Sequence, residues 1–321
     1  MTLLLDVQDL HVSFHRRRQV VRAVRGASFK IFEGETVGFV GESGSGKSAL
    51  VRTLARLLSK NATIDQGEIW YKGKNLLEFS PPELQKVRGK EIGMIFQDPM
   101  TSLTPTMKIG QQIAEAFLCH YPNEDPHPIV LNLLKKVGIS DPERRLGEYP
   151  HTLSGGMRQR VMIAIALAAN PSLLIADEPT TALDVTVQAQ ILALIQDIQK
   201  EKTTILITHD LSLAAGFCSR IIVMYAGEIV EDAPALQIFS SPQHPYTQRL
   251  LSATARLDLP HNAALTPISG QPPDLSRLPP GCSFAPRCSQ AMQICRSQSP
   301  PAFDVGPSHC ARCWLHDPRH P

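Results

Sequence analysis

Apolar strands alternating with amphipathic helices, a glycine-rich loop that joins one strand to the next helix, and a proline- and cysteine-rich tail predict a chain of α/β class. The expected architecture is a phosphate-binding core with an antiparallel β portion and a helical subdomain, followed by a loop-rich, cysteine-containing C-terminal extension. The loop is Gly41-Glu42-Ser43-Gly44-Ser45-Gly46-Lys47-Ser48, which reads G-x-x-x-x-G-K-[ST]. Residues 36–40 before it form an apolar run of strand type, and residues 49–58 after it carry leucines and a valine at helical spacing. Glycines 41, 44 and 46 let the backbone N–H groups of the loop, Ser43 and Ser45 included, converge on phosphate oxygens, and the helix adds its positive end. Lys47 supplies a point charge for the β- and γ-phosphates, and the Ser48 hydroxyl is placed for Mg²⁺.

The 321 residues leave room for one large domain and something smaller, and 43% hydrophobic content is that of an ordinary globular protein. A net charge of +2 gives no reason to expect a nucleic-acid partner, and the basic run 15–18 reads as a solvated turn. Residues 1–6 have no basic leader, and the longest apolar run, 161–169, is too short to span a bilayer, so a cytosolic chain is expected unless another protein holds it at a membrane. In that compartment the seven cysteines point to metal ligation or burial rather than disulfides.

Residues 3–14 and 20–32 predict a strand pair ahead of the loop. Phe14, at the end of the first, is a candidate to stack on adenine, with core packing as the alternative. Residues 67–71 read as a strand, Pro81-Pro82-Glu83 opens a short helix, and residues 92–96 form an apolar strand that delivers Gln97, a side chain able to reach a metal or a water. Residues 107–119 and 129–137 have helical spacing and suggest a small helical subdomain. Leu153-Ser154-Gly155-Gly156-Met157 then opens a second helix, a second potential anion site that one nucleotide does not obviously need.

Residues 173–178, Leu-Leu-Ile-Ala-Asp-Glu, are an apolar strand ending in two carboxylates, the arrangement of a Walker B element. Asp177 is expected to bind Mg²⁺. Glu178, pointing the other way if the strand persists, would orient and deprotonate the attacking water. Residues 181–184 lead to Asp184 as cap of a helix over 185–199, with Ile191, Leu194, Ile195 and Ile198 as its inner stripe. Residues 204–208 form a buried strand that presents His209 at its end, to bond a phosphate oxygen or to serve structure. Residues 221–225 and 228–230 read as a hairpin around Ala226-Gly227.

Taken together, the loop at 41–48, Gln97, LSGGM at 153–157, LLIADE at 173–178, TALD at 181–184 and His209 resemble the ATP-binding subunits of ABC transporters over residues 3–239. Residues 95–103, 224–227 and 242–247, with the tail from Gly281 to Leu315, are most similar to the oligopeptide/dipeptide importer subfamily. Thr104 and Ala233 stand where that subfamily often has Asn and Gly, away from the expected chemistry.

The resemblance implies a P-loop NTPase (ABC ATPase) core over 1–240, with its helical subdomain at about 100–160, and an extension over 241–321. It implies ATP and Mg²⁺ as cofactors, with Glu178, His209 and Gln97 catalytic and Ser48, Gln97 and Asp177 at the metal. It also implies head-to-tail pairing, so that ATP at Lys47 of one subunit meets Ser154, Gly155 and Gly156 of a second ABC ATPase subunit, with Asp184 near the shared nucleotide; a heterodimer with a sister subunit is favoured. Further partners would be two transmembrane permease subunits and, indirectly, an extracytoplasmic solute-binding protein, with this chain peripheral on the cytoplasmic face of the membrane. Peptides are the expected solute, with nickel, glutathione or another small solute as alternatives. A soluble ABC ATPase acting on nucleic acid or ribosomes is a further reading, but such proteins usually carry two ATPase units. A regulatory module without ATPase activity is opposed by the intact Lys47, Asp177, Glu178 and His209.

Fifteen of the 26 prolines lie from Pro234 onward, which marks the tail as a loop-rich appendage. Cys282, Cys288, Cys295 and Cys313 follow C-x5-C-x6-C-x17-C, a pattern the importer subfamily shares and which in some members holds a [4Fe–4S] cluster. Four thiolates suit iron–sulfur or Zn²⁺, and an unmetallated tail is the third option. Arg287, Arg296 and Arg312 are candidates to offset the cluster's charge, Cys310 would compete with Cys313, and Cys119 and Cys218 are expected to be buried.

Overall fold

The computed structural model describes residues 2–16, 19–181, 183–200, 202–253 and 268–319. Met1, Arg17 and Arg18 of the basic turn, and Ala182 between the Walker B strand and Asp184, lie outside the described residues. The strands are β1 (Leu3–Arg16), β2 (Gln19–Phe32), β3 (Thr36–Val40), β4 (Ala62–Tyr71), β5 (Lys74–Asn75), β6 (Ile92–Ile95), β7 (Leu173–Asp177), β8 (Thr203–Thr208), β9 (Arg220–Tyr225), β10 (Glu228–Pro234), β11 (Phe303–Gly306) and β12 (His309–Ala311). The chain forms two compact units, one of Met1–Ile31, Thr36–Leu77 and Thr208–Pro321, the other of Phe32–Glu35 and Glu78–Ile207.

In the first unit an antiparallel sheet runs β2-β1-β4-β5. The expected strand at 67–71 starts five residues earlier, because β4 pairs along β1 as far as Phe14 opposite Ala62. β3 lies parallel to β9, with Val37 opposite Arg220 and Val40 opposite Val223. All five residues of β3 are buried, as a central parallel strand requires. The predicted hairpin is present: β9 and β10 are antiparallel around Ala226 and Gly227, and β12 and β11 extend it outward. The helix after the phosphate loop is Lys47–Leu54, and it ends four residues before its leucine spacing suggests. Arg56 ends it by taking a left-handed backbone (φ 51°) while its guanidinium bonds the carbonyl oxygens of Leu76 and Leu77.

In the second unit β6, β7 and β8 are parallel neighbours, and every residue of β7 and β8 is buried. The helices Ile109–Leu118, His127–Lys136 and Gly155–Leu167 form the helical part. Helix Val185–Gln199 buries Ile191, Leu192, Ile195 and Ile198, so Leu192 takes the place expected of Leu194. Cys119 caps its helix and is exposed, which corrects the expectation of burial; Cys218 is buried, and burial pushes its thiol up to about 12. No helix among the described residues is long and apolar enough to cross a membrane.

Within the first unit one buried carboxylate holds both the start of the tail and β12 to β10. Glu231 of β10, 1% exposed, accepts the Gln243 N–H at 2.7 Å and the His244 N–H at 2.9 Å, and it pairs with His309 Nε2 of β12 at 2.8 Å. His244 Nδ1 in turn accepts the Tyr246 N–H at 3.0 Å, which requires that nitrogen unprotonated. Burial, and then the neighbouring His316, lower the ring from its ordinary 6.5 to about 3.

Above about pH 6.5 the ring is neutral in both folded and unfolded chains, and the contribution to stability is complete. Below that pH the unfolded chain binds a proton that the folded ring refuses, so stability falls with pH, by up to about 1.4 kcal/mol per unit. Thermal melting of the wild type should therefore decline more steeply between about pH 6.5 and pH 5 than that of His244→Asn, whose amide oxygen can still accept the Tyr246 N–H. Equal slopes would contradict this origin.

Candidate active site

The phosphate loop, residues 41–48, belongs to the first unit, and the residues behind it fix its shape. A Cβ on Gly41 would lie 2.2 Å from the Met224 carbonyl oxygen, and one on Gly46 equally close to that of Ala23, so neither position admits a side chain without moving backbone. The Gly227 N–H donates to the Ser45 carbonyl at 2.9 Å and ties the β9–β10 turn to the loop. Gly46, with φ 102°, is the N-cap of helix Lys47–Leu54, and the exposed residues Ser43 and Gly44 form the loop's outer tip. Lys47 is 4% exposed, and its Nζ donates to the carbonyls of Gly41 and Glu42 at 2.7 and 2.9 Å. Ser48 follows in the helix's first turn. Phe14 is half-buried and two residues short of the end of β1. His209, directly after β8, is exposed, and Asp210 beside it caps the next helix by accepting the Leu213 N–H.

In the second unit the structure brings together two nominated residues that lie far apart in sequence. Gln97 Nε2 donates to Glu178 Oε2 at 3.2 Å, and the Thr181 hydroxyl donates to the same oxygen at 3.0 Å. Asp177 ends β7 fully buried. Glu178 does not continue the pleat: its backbone is left-handed (φ 47°), and its N–H donates to the Ile207 carbonyl. Its direction therefore comes from a strained turn and not from strand alternation, a strain of about 1–3 kcal/mol of the kind found at functional positions. Thr181 carried no cue of its own in the sequence, since nothing in the spacing distinguishes it from a cap residue.

The signature residues stand at the exposed start of helix Gly155–Leu167. Ser154 is its N-cap, accepting the Met157 N–H at 3.3 Å, so the Gly155 and Gly156 end of a 13-residue helix is presented with its positive pole. A Cβ on Gly156 would meet Val187 at 2.5 Å, which shows how closely this turn packs on helix Val185–Gln199. Asp184 caps that second helix by accepting the Val187 N–H at 2.9 Å.

Cys282, Cys288, Cys295 and Cys313 line one narrow cavity together with His244, Phe284 and Trp314. Backbone N–H groups point at three of the sulfurs: those of Phe284 and Ala285 at Cys282, of Gln290 at Cys288 and of Leu315 at Cys313. Burial pushes the thiols of Cys282 and Cys313 up to about 11 and about 12, with the neighbouring cysteines adding to the shift. Among the described residues no group of three or more His, Cys, Asp or Glu is arranged to hold a metal ion. Cys310 does not share the cavity; it is exposed on β12 between Asp232 and Asp304, so the expected competition with Cys313 is absent. Nor do the arginines gather round the sulfurs as expected: Arg287 is ion-paired with Glu42, Arg312 bonds the Gly26 carbonyl, and Arg296 is exposed.

Known proteins resemble this chain in sequence and in fold. A family profile described as "ABC transporter" matches residues 24–181, and one described as "Oligopeptide/dipeptide transporter, C-terminal region" matches residues 230–295. A dipeptide transport ATP-binding protein of Lactococcus lactis subsp. cremoris is 51% identical over 99% of this chain and 92% of its own. An oligopeptide transport ATP-binding protein of Bacillus subtilis is also 51% identical, over 100% of this chain and 91% of its own. An Escherichia coli oligopeptide transport ATP-binding protein is 47% identical over 97% and 93%. Among solved structures, a dimeric ATP-binding cassette in a post-hydrolysis state with ADP and Pi superimposes with a TM-score of 0.65 at 28% identity, covering 72% of this chain and 99% of that one. With an α/β fold of P-loop type, a crowded phosphate loop, and relatives of about half identity along its whole length, the chain belongs to the ATP-hydrolysing, ATP-binding subunits of the ABC transporter family.

Proposed function

We propose that this subunit powers the import of di- or oligopeptides through a membrane permease. The observation that carries the catalytic part is the Glu178 carboxylate, set by a left-handed turn at the end of β7 and anchored by Gln97 and Thr181. Support for peptides as the solute comes from the C-terminal match over residues 230–295 and from the peptide-transport names of the relatives.

In this reading the loop residues Gly41 to Ser48 bind the ATP phosphates, Lys47 balances their charge, and Phe14 stacks beside the adenine. Ser48 and Asp177, with Gln97, would hold Mg²⁺, which when bound offsets charge on the β- and γ-phosphates. The buried carboxylate of Asp177 and the crowded loop suit that role. Glu178 takes the proton of the attacking water, Gln97 keeps the carboxylate oriented, and His209 bonds the γ-phosphate. The exposed helix end at Ser154, Gly155 and Gly156, with Asp184 nearby in sequence, completes the nucleotide site of a second ATPase subunit, a sister chain. A site that is whole only when the pair closes couples chemistry to movement, since phosphoryl transfer depends chiefly on positioning. The helical segment at 100–160 would pass that movement to two permease subunits. In this reading the chain lies on the cytoplasmic face of the membrane, with solute delivered by an extracytoplasmic binding protein.

For the extension over 241–321 we propose a metal centre on Cys282, Cys288, Cys295 and Cys313. The shared cavity, which brings the four sulfurs together, and the N–H groups aimed at them, which favour thiolates once a cation replaces the protons, support it. Of the groups four thiolates can hold, the one proposed is a [4Fe–4S] cluster, as in some members of the importer subfamily that the tail resembles.

Glu178→Gln should still bind ATP but hydrolyse it at least about a hundredfold more slowly, the scale of a lost general base; near-normal turnover would reject the assignment. Ser154→Arg should abolish turnover while the same chain keeps its own nucleotide affinity. Normal hydrolysis by an isolated Ser154→Arg monomer would refute the shared site. Anaerobic purification should give a brown protein with iron and sulfide. Zinc without iron, or no metal, would reject the cluster.

A further inference from the structure

The cysteine-bearing tail grips the phosphate loop directly, through a residue that no motif marks. Glu42 lies inside the loop, between Gly41 and Ser43, and is held at three points. Its N–H donates to the Tyr246 hydroxyl at 2.8 Å. Its carboxylate accepts two parallel bonds from Arg287, Nη1 to Oε2 at 2.6 Å and Nη2 to Oε1 at 3.0 Å. Its carbonyl accepts from Lys47 Nζ, the ammonium assigned to the phosphates. We propose that Arg287 is a positioning residue for nucleotide binding, setting the phosphate loop through Glu42 and thereby linking ATP affinity to the folding of the cysteine cavity. The proposal rests on the reading of residues 41–48 as the phosphate loop.

The arrangement suits this role in three ways. The Arg287 side chain is only 4% exposed and Glu42 26%, so the pair is shielded from solvent in a way surface ion pairs are not. The two-pronged contact fixes the direction of the Glu42 carboxylate as well as its distance, and a lysine cannot reproduce it. Arg287 is itself locked: Nε donates to the Ser269 carbonyl at 3.0 Å, Nη1 to the Tyr225 hydroxyl at 3.3 Å, and the guanidinium lies over the Tyr225 ring at 5.8 Å.

The link to the cavity is covalent and short. Arg287 immediately precedes Cys288 and closes the turn Ala285–Arg287, which is tied back by the Ala285 N–H to the Cys282 carbonyl. Phe284, in the same turn, packs edge-on against both Tyr225 and Tyr246, at 5.2 and 5.4 Å. The segment that carries two of the four cysteines thus also carries the side chain that grips Glu42 and the ring that seats Tyr246. A rearrangement of Cys282 to Cys288 cannot leave the loop's anchors in place.

The test is calorimetric titration of the full-length chain with Mg·ATP, for wild type, Arg287→Met, Arg287→Lys, Glu42→Gln and the double variant Arg287→Met/Glu42→Gln. Wild-type binding supports the phosphate-loop reading; a wild type that does not bind overturns that assignment and this proposal with it. Expected is a Kd raised on the order of tenfold in Arg287→Met, a smaller rise in Arg287→Lys, and a double variant no weaker than the worse single one, because both remove one interaction. A merely structural arginine would lower the melting temperature without this partial rescue and non-additivity. If Arg287→Met does not fold, the milder Glu42→Gln decides alone, with the same tenfold rise expected. A folded Glu42→Gln or Arg287→Met that binds Mg·ATP within about twofold of wild type overturns the proposal, as do effects that add in the double variant.

Discussion

The phosphate loop depends on the lack of space behind it. At Gly41 and Gly46 the loop backbone lies so close to the Met224 and Ala23 carbonyl oxygens that a single methyl group would collide with them. The loop's shape is therefore a property of β2 and β9 as much as of its own residues. Those strands are held in turn by pairing, β2 with β1 and β9 with β3, and by burial of most of their apolar side chains, the directionless term that dominates folding. A flexible, glycine-rich segment becomes a preorganised ligand cradle because rigid neighbours leave it one conformation.

The second unit solves a different problem. In the proposed mechanism a carboxylate has to face a reacting water without collapsing onto the nearest cation. At Glu178 this is managed by a left-handed residue at the end of a buried strand and by two neutral donors, Gln97 and Thr181, on one carboxylate oxygen. Neutral donors orient a base without neutralising it. The next helix pair supplies the reverse polarity: the Gly155 end of helix Gly155–Leu167 offers unsatisfied N–H groups to a passing anion. In the proposed reading one chain carries both a cradle for phosphate and the helix end that completes a partner's site, and head-to-tail pairing would match the two.

Much of this was legible in the sequence because its chemistry is local. A phosphate loop needs glycines and a lysine at fixed spacing, and a Walker B strand needs an apolar run ending in acids, so residues 41–48 and 173–178 announce themselves. The parallel strands were readable for a related reason, since burial on both faces demands unbroken apolar runs such as 173–176. What stayed hidden depends on contacts between residues distant in sequence. The left-handed turn at Glu178 has no glycine to betray it. Helix Lys47–Leu54 ends early because Arg56 finds carbonyl partners twenty residues on. Arg287 suggested a counter-charge for the cysteines, yet it reaches Glu42, 245 positions away. Glu231, which secures the start of the tail and β12, looks in sequence like any strand carboxylate.

The central claim is that this chain holds half of two hydrolytic sites and no whole one. The most direct measurement is steady-state ATP turnover per subunit as purified chain is titrated with its sister ATPase subunit. The account predicts turnover near zero for the dilute single chain, rising with added sister and saturating once every subunit is paired. Turnover per chain that is already maximal at high dilution, and unchanged by the sister subunit, would contradict it.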